Sequence, residues 1–392
     1  MRERRRIMLI VPMLHQGGFE RICAMTAKLL NQEHEVYLVI FSSEDMLYDV
    51  SGVNLIDLQL GTVPGKLGKL CNIIKRIGRV RGLKKELHIQ VSYSFGTTAN
   101  LVNVLSKYKD TVWAGIRGYG ALEEHLELIT KKADRVVSCT RIMERDIAER
   151  CVVKSSATLY NPCEVDRLRE LAKEPIPEKI KAFIDKPGKL IVSMGREDDI
   201  KGFWHLIKSV ALVKKKLPDV KLMIIGDGEY KEYKQLALEL GIAEDVLFAG
   251  VHKNPFAILD KADVYALTSD TEGFPNALIE AMAVGLPCVS VNCKTGPAEI
   301  LHQNYEECSD ASKAYYADYG ILMPALKGNK DVVPDSITCE EEQFADGLYH
   351  LLSDAVLYEK YAKKAVQRAN EFSMDEYRRN IEKLIQEDCK RS

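Results

Sequence analysis

Short apolar runs of strand length alternate with longer patterns of helical period along almost the whole chain. The stretches IMLIVPM (7–13), EVYLVIF (35–41), VNLIDL (53–58), IQVSYSF (89–95), TVWAGI (111–116), RVVSC (135–139) and ATLYN (157–161) read as strands, with helices filling the gaps. After Asn161-Pro162 comes a polar stretch with Pro175, Pro177 and Pro187, and beyond it the alternation restarts. The second series predicts strands at 189–194, 220–226, 246–250, 263–269 and 287–291. Between them lie helices over GFWHLIKSVALVKKKL, KEYKQLALEL, PFAILDKA and NALIEAMAV. Strands that alternate with helices predict parallel sheets wrapped on both faces, so the fold class is α/β. The expected domains are 1–165 and 166–370, with a last amphipathic helix in 371–392 packing back on the first. Two such domains facing one another would leave a cleft at the carboxyl ends of both sheets, where open α/β folds bind ligands.

With 392 residues, 46% apolar and 29% charged, the chain is long enough for two cores and has a globular composition. No run approaches the roughly 18 to 20 apolar residues that span a bilayer. The start, MRERRRIMLIVPML, reads as a buried strand behind a basic leader, because its apolar part is short, contains Pro12 and runs into HQGG. Ten cysteines lie scattered without a CxxC pair, several in apolar segments such as Cys23, Cys139 and Cys288. That usage predicts free thiols in a reducing cytoplasm and argues against a zinc or disulfide framework. A formal net charge of −2 excludes a globally basic nucleic-acid binder.

The charge is nevertheless uneven. KLGKLCNIIKRIGRVRGLKKEL (66–87) carries eight Lys or Arg residues before its first acid, Glu86. Leu67, Leu70, Ile73, Ile74, Ile77 and Val80 recur at helical spacing, so the pattern predicts a helix with an apolar and a cationic face. Such a helix suits an anionic membrane surface or a pyrophosphate-linked lipid, to which Arg2, Arg4, Arg5 and Arg6 could add. The plainer reading is a domain helix that packs its apolar face on a sheet. The stretch lacks the interleaved aromatics of a single-strand nucleic-acid site.

Three loops carry candidate chemistry. In EGFPNALIEAMAVGLP (272–287) a Gly-Phe-Pro break opens a helix near Asn276, whose first amides, on Ala277, Leu278 and Ile279, are expected to lack intrahelical partners and to suit a phosphate. Glu280, about one turn in, is placed to accept hydrogen bonds from ribose hydroxyls, and Glu272 at the strand's exit to face a sugar. In Gly195-Arg196-Glu197-Asp198-Asp199-Ile200-Lys201-Gly202, Arg196 and Lys201 can clamp a diphosphate and stabilise charge as it leaves. In His15-Gln16-Gly17-Gly18-Phe19-Glu20-Arg21 a Gly-Gly turn can bring amides to a ligand, although it is not G-x-G-x-x-G and a nicotinamide site is poorly supported. Each has a bland counterpart: a first-turn acid complementing a helix dipole, a solvated charged loop, and a tight turn.

Taken together, these motifs resemble glycosyltransferase family 4, the retaining enzymes of the GT-B fold, with two doubly wound Rossmann-like domains facing a central cleft. The resemblance rests on Gly17-Gly18, on Arg196 with Lys201, on the Glu-x7-Glu pattern in EGFPNALIEAMAVGLPCVSV, and on GPAEIL (296–301) and YGILMP (319–324). It implies that Arg196 and Lys201 bind the donor diphosphate and Glu280 the ribose. Glu272 with the main chain of Gly273, Phe274, Pro275 and Asn276 would hold the transferred sugar, Gly17 and Gly18 would close on it, and the main chain near Val251 would meet the base. Many members carry a histidine after the fifth strand of the first domain. Here AGIRGYG places Arg117 there, with Tyr119 nearby and His125 the next histidine in sequence.

The expected protein is a cytoplasmic retaining hexosyltransferase, with a peripheral place on the inner face of the plasma membrane as the further option. It would use a nucleotide diphosphate sugar, uridine-linked, and a hydroxyl of a lipid-linked glycan, in cell-surface polysaccharide synthesis, with no metal or other cofactor and no nucleic-acid partner. The alternatives are a nucleotide-sugar epimerase of the same fold and a catalytically silent sugar-nucleotide-binding protein.

Overall fold

A computed structural model describes residues 4–15, 17–118, 125–326 and 328–389. The chain divides into two compact units: residues 1–162 with 375–392, and residues 163–374.

In the first unit seven parallel strands, β1 (Arg6–Val11), β2 (Glu35–Ile40), β3 (Asn54–Asp57), β4 (Val91–Phe95), β5 (Thr111–Ile116), β6 (Arg135–Ser138) and β7 (Ser156–Thr158), lie in the order β3-β2-β1-β4-β5-β6-β7. The continuous apolar runs of β1 and β2 follow from burial on both faces, whereas the edge strands β3 and β7 are partly exposed. Strand order reverses between β1 and β4, so the carboxyl ends of these two strands form the topological switch point. The first helix, α1 (Gly18–Leu30), starts directly from β1's exit. The helix Met374–Cys389 packs on this unit: Tyr377 meets the Thr26 hydroxyl at 2.8 Å, Glu382 the His34 ring at 2.9 Å, and Asp388 accepts from the Trp113 indole at 2.7 Å.

The second unit repeats the plan with β8 (Leu190–Met194), β9 (Lys221–Ile225), β10 (Val246–Gly250), β11 (Val264–Leu267), β12 (Cys288–Val291), β13 (Tyr315–Tyr316) and β14 (Ile321–Met323), in the order β10-β9-β8-β11-β12-β14-β13. All pairs are parallel except β13 with β14, a short hairpin at the edge that the apolar pattern does not announce. Here the switch point lies between β8 and β11. Below it the core is built by Ile191, Leu222, Ile224, Val264 and Ala266 of the sheet against Phe203, Leu206, Ile207 and Val210 of the helix Phe203–Lys214. Two Rossmann-like parallel sheets in one chain are the GT-B arrangement expected from the sequence.

The basic stretch is a 21-residue helix, α2 (Lys66–Glu86), but only part of the expected apolar face is inward: Val80 is buried and Ile77 packs on the core beside it. Asn72, Arg76, Val80 and Lys84 face inward, whereas Leu67, Leu70 and Ile74 are 81%, 55% and 60% exposed. The reason is polar anchoring: Asn72 and Arg76 donate to the carbonyls of Leu60 and Gly61, and Lys84 forms a fully buried ion pair with Asp110 at 2.9 Å. Among the described residues, no helix is long and apolar enough to cross a membrane.

Candidate functional site

The carboxyl edge of the second sheet carries most of the predicted residues. Past β8 the chain turns through Gly195 and Arg196 into a 3-10 turn, Asp199–Lys201, capped by the Asp198 carboxylate accepting from the Ile200 amide at 3.2 Å. The turn ends at Gly202, whose φ of +60° is left-handed and whose added Cβ would lie 2.3 Å from the Thr268 carbonyl oxygen. Only glycine fits there. The Thr268 hydroxyl donates to the Lys201 carbonyl at 3.0 Å, so the loops leaving β8 and β11 are bound to each other.

That binding brings Lys201 and Glu272 together. The Lys201 ammonium donates to Glu272 Oε1 at 2.7 Å, in a setting where the two side chains are 25% and 13% exposed. The Ser269 hydroxyl donates to the same oxygen at 2.8 Å. The Glu272 amide donates to the Lys294 carbonyl at 2.7 Å, and its own carbonyl accepts from the Thr295 amide at 2.8 Å. Arg196 stands apart on the exposed side of the loop, its guanidinium donating to Asp198 at 3.0 and 3.2 Å. Burial would raise the Asp198 carboxyl, but the Ile200 amide and the Arg196 and Lys201 charges outweigh it and hold the group below the usual carboxylate range.

Beyond Gly273, Phe274 turns its ring inward against Phe372, 5.3 Å between centroids, so its side chain serves the core. Pro275 caps the helix Asn276–Ala283. One expectation changes here: the Leu278 amide donates to the Pro275 carbonyl at 3.1 Å, a local tightening of the first turn, so it is already engaged. Glu280 is buried in this helix. Tyr265 of β11, fully buried, lies near both acids: burial foremost, and then the charges of Glu272 and Glu280, push its phenol well above the ordinary range. Val251, just past β10, is exposed on the same edge.

In the first unit the predicted residues lie at the corresponding edge. Gly17 caps α1 in extended backbone, and a Cβ there would lie 2.1 Å from the Glu20 carboxylate, which fills the space at the helix start. Its peptide is already engaged, the amide donating to the Tyr48 hydroxyl at 3.3 Å and the carbonyl accepting from it at 3.0 Å. Gly18, the first helical residue, is exposed. Arg117, after β5, donates to the Asn161 side chain at 2.6 Å and to the Tyr93 hydroxyl, and its guanidinium lies over the Phe95 ring at 5.2 Å. Tyr119 lies outside the described residues, and His125 is an exposed residue at the start of the helix Leu126–Lys132.

Sequence reasoning missed Ser269, Tyr48 and Tyr265. Ser269 and Tyr265 sit in DVYALTSDTEGFP, where an alternating strand pattern masks the polar atoms, and Tyr48 is distant in sequence from the turn it caps. Among the described residues, no group of three His, Cys, Asp or Glu side chains is placed to hold a metal ion.

Comparison with known proteins gives this edge a class. Residues 176–313, which contain the loops that leave β8 and β11, match the family model for glycosyl transferases group 1. An uncharacterized glycosyltransferase of Haemophilus influenzae is 30% identical over 300 residues, 73% of this chain and 80% of that one. The chain belongs to the group 1 glycosyltransferases, the family 4 type, and is a glycosyltransferase. It is also 25% identical, over 95% of its length and 97% of the relative's, to the Campylobacter jejuni N-acetylgalactosamine-N,N'-diacetylbacillosaminyl-diphospho-undecaprenol 4-alpha-N-acetylgalactosaminyltransferase. Among solved structures, Anabaena HepE in complex with UDP-glucose shares the fold with a TM-score of 0.74 at 16% identity, covering 97% of this chain and 99% of that one.

Proposed function

We propose that the protein is a retaining transferase that moves a hexosyl or N-acetylhexosaminyl group from a uridine diphosphate sugar to a hydroxyl of a lipid-linked glycan. The observation that supports this most is the Lys201–Glu272 pair that joins the loops leaving β8 and β11, with Arg196 on the first of these loops and the helix Asn276–Ala283 following the second. Two cations and a helix N-terminus match a diphosphate in charge. Glu272, with the main chain of Gly273, Phe274, Pro275, Asn276 and Ala277, matches sugar hydroxyls and phosphate oxygens, Glu280 the ribose, and the main chain at Val251 the base. Gly17, Gly18 and Arg117 are the candidates that the first unit contributes, Arg117 in place of the family histidine.

In this reading the acceptor oxygen approaches the anomeric carbon on the face that the leaving group departs. The bond from that carbon to the β-phosphate oxygen breaks, the acceptor bond forms with the configuration kept, and the leaving phosphate takes the acceptor's proton. Arg196 and Lys201 stabilise the charge that grows on the phosphate, so the step requires no metal.

A lipid-linked acceptor brings the work to a membrane surface, on its cytoplasmic side, and α2 is the element that fits one. Its exposed Leu67, Leu70 and Ile74 are flanked by exposed Lys66, Lys69, Lys75 and Arg79. That combination suits the boundary of an anionic bilayer. The Campylobacter relative, named for a diphospho-undecaprenol-linked glycan, favours the same class of acceptor.

Thermal shift with a panel of UDP- and GDP-linked sugars tests the donor side. A donor at about 100 times its Kd stabilises the native state by about 2.7 kcal/mol, so a uridine-linked sugar should raise Tm by several degrees. A panel in which no nucleotide sugar shifts Tm would overturn the proposal.

A further inference from the structure

Both cations of the loop after β8 are already held by carboxylates, but the two pairs differ in kind. Arg196 and Asp198 are neighbours on an exposed loop, a geometry that contributes little. Lys201 and Glu272 are 71 positions apart, and their pair joins the exits of two strands. Glu272 Oε1 takes two donors, Lys201 Nζ at 2.7 Å and Ser269 Oγ at 2.8 Å, and Ser269 is almost wholly buried. A serine hydroxyl has a single proton to donate, and here it goes to that oxygen. The Glu272 main chain is pinned on both sides, to Lys294 and to Thr295. Of the two charged partners, therefore, the carboxylate is fixed and the long, flexible lysine is the one that can move.

We propose that donor binding transfers Lys201 from Glu272 to the diphosphate. Ser269 is then the positioning residue that keeps Glu272 Oε1 in place while the freed carboxylate meets the sugar. The inference rests on the donor reading given above. Its consequence is selectivity between donor and product. A nucleotide sugar replaces the lost ammonium at Glu272 with sugar hydroxyls. The nucleoside diphosphate alone draws Lys201 away and leaves a mostly buried carboxylate with Ser269 as its remaining side-chain donor. Such a group is costly to strand, so the pair disfavours the spent nucleotide and promotes its release.

Calorimetric titration of the full chain with UDP and GDP, and with the UDP- or GDP-linked sugar that stabilises it most, tests this. The isosteric Glu272→Gln variant should bind the nucleoside diphosphate about fivefold more tightly and the nucleotide sugar no more tightly, because Lys201 is released without a competitor. In a Lys201→Met background the same substitution should give no gain, which separates exchange from simple relief of charge repulsion. Ser269→Ala should weaken the nucleotide sugar about fivefold and the diphosphate at least as much, because Glu272 then keeps no side-chain donor once Lys201 has left, and Ser269→Thr should restore both. A diphosphate affinity unchanged in Glu272→Gln, or a gain that persists without Lys201, would overturn the exchange. Wild-type affinity for both ligands in Ser269→Ala, or no rescue by threonine, would overturn the positioning role. Wild-type protein that binds neither diphosphate would overturn the donor reading itself, and the inference with it.

Discussion

Gly202 shows how much of the donor loop depends on one residue. Its left-handed φ and the Thr268 carbonyl pressed against it leave no room for a side chain. Gly202→Ala should cost about 2 kcal/mol in urea unfolding and raise the donor KM about tenfold, since Lys201 precedes it. The two predicted contact types should separate kinetically. Glu280→Ala removes a ribose contact made equally before and during reaction, so it should raise donor KM about tenfold with kcat nearly kept. Arg196→Ala removes a charge that matters as the phosphate leaves, so kcat should fall about a hundredfold with a smaller change in KM. Steady-state kinetics with both variants checks the split, and wild-type values in both would refute the assignment of these side chains.

At the scale of elements, α2 offers the sharpest contrast. Replacing Leu67, Leu70 and Ile74 together by serine should abolish salt-sensitive sedimentation with phosphatidylglycerol vesicles, while stability stays within about 0.5 kcal/mol because these side chains are largely exposed. Unchanged sedimentation would remove the membrane from the account. The opposite face behaves differently. Burial lowers the Lys84 ammonium to about 8, with Asp110 pulling it partly back. The folded value lies below the unfolded one, so between about pH 8 and the ordinary lysine range the unfolded chain holds more protons, and this group makes stability rise with pH. Urea titrations at pH 8 and 10 should show that rise in wild type relative to Lys84→Met. Asp110→Asn should cost about 3 kcal/mol at pH 7 by stranding the lysine. This helix also marks where sequence reading stops. Strands such as β2 and β8 were legible to within a residue, because a strand buried on both faces must be a continuous apolar run. The limits of α2 were equally plain, but not its inward face, since Asn72, Arg76 and Lys84 are buried by specific partners around Leu60, Gly61 and Asp110 that no periodicity announces. Likewise Lys201 and Glu272 could be placed on their loops by motif, whereas their shared anchor, Ser269, is visible only once the loops are bound together.

At the scale of the whole molecule, one chain builds two Rossmann-like units and returns its last helix to the first, where Thr26, His34 and Trp113 receive it. The donor-side residues belong to the second unit, whereas α2, Gly17 and Arg117 belong to the first. An assay of transfer tests more than any binding measurement, because it reads the chemistry as well as the donor. The full chain should be incubated with its most stabilising nucleotide sugar, radiolabelled in the sugar, and polyprenyl-diphosphate-linked oligosaccharides in anionic vesicles. The account predicts label in the lipid fraction, attached with the donor's anomeric configuration, and loss of that transfer in Arg196→Ala although the donor still binds. Free sugar or an epimer released at the same rate without acceptor, an inverted linkage, or undiminished transfer in Arg196→Ala would contradict it.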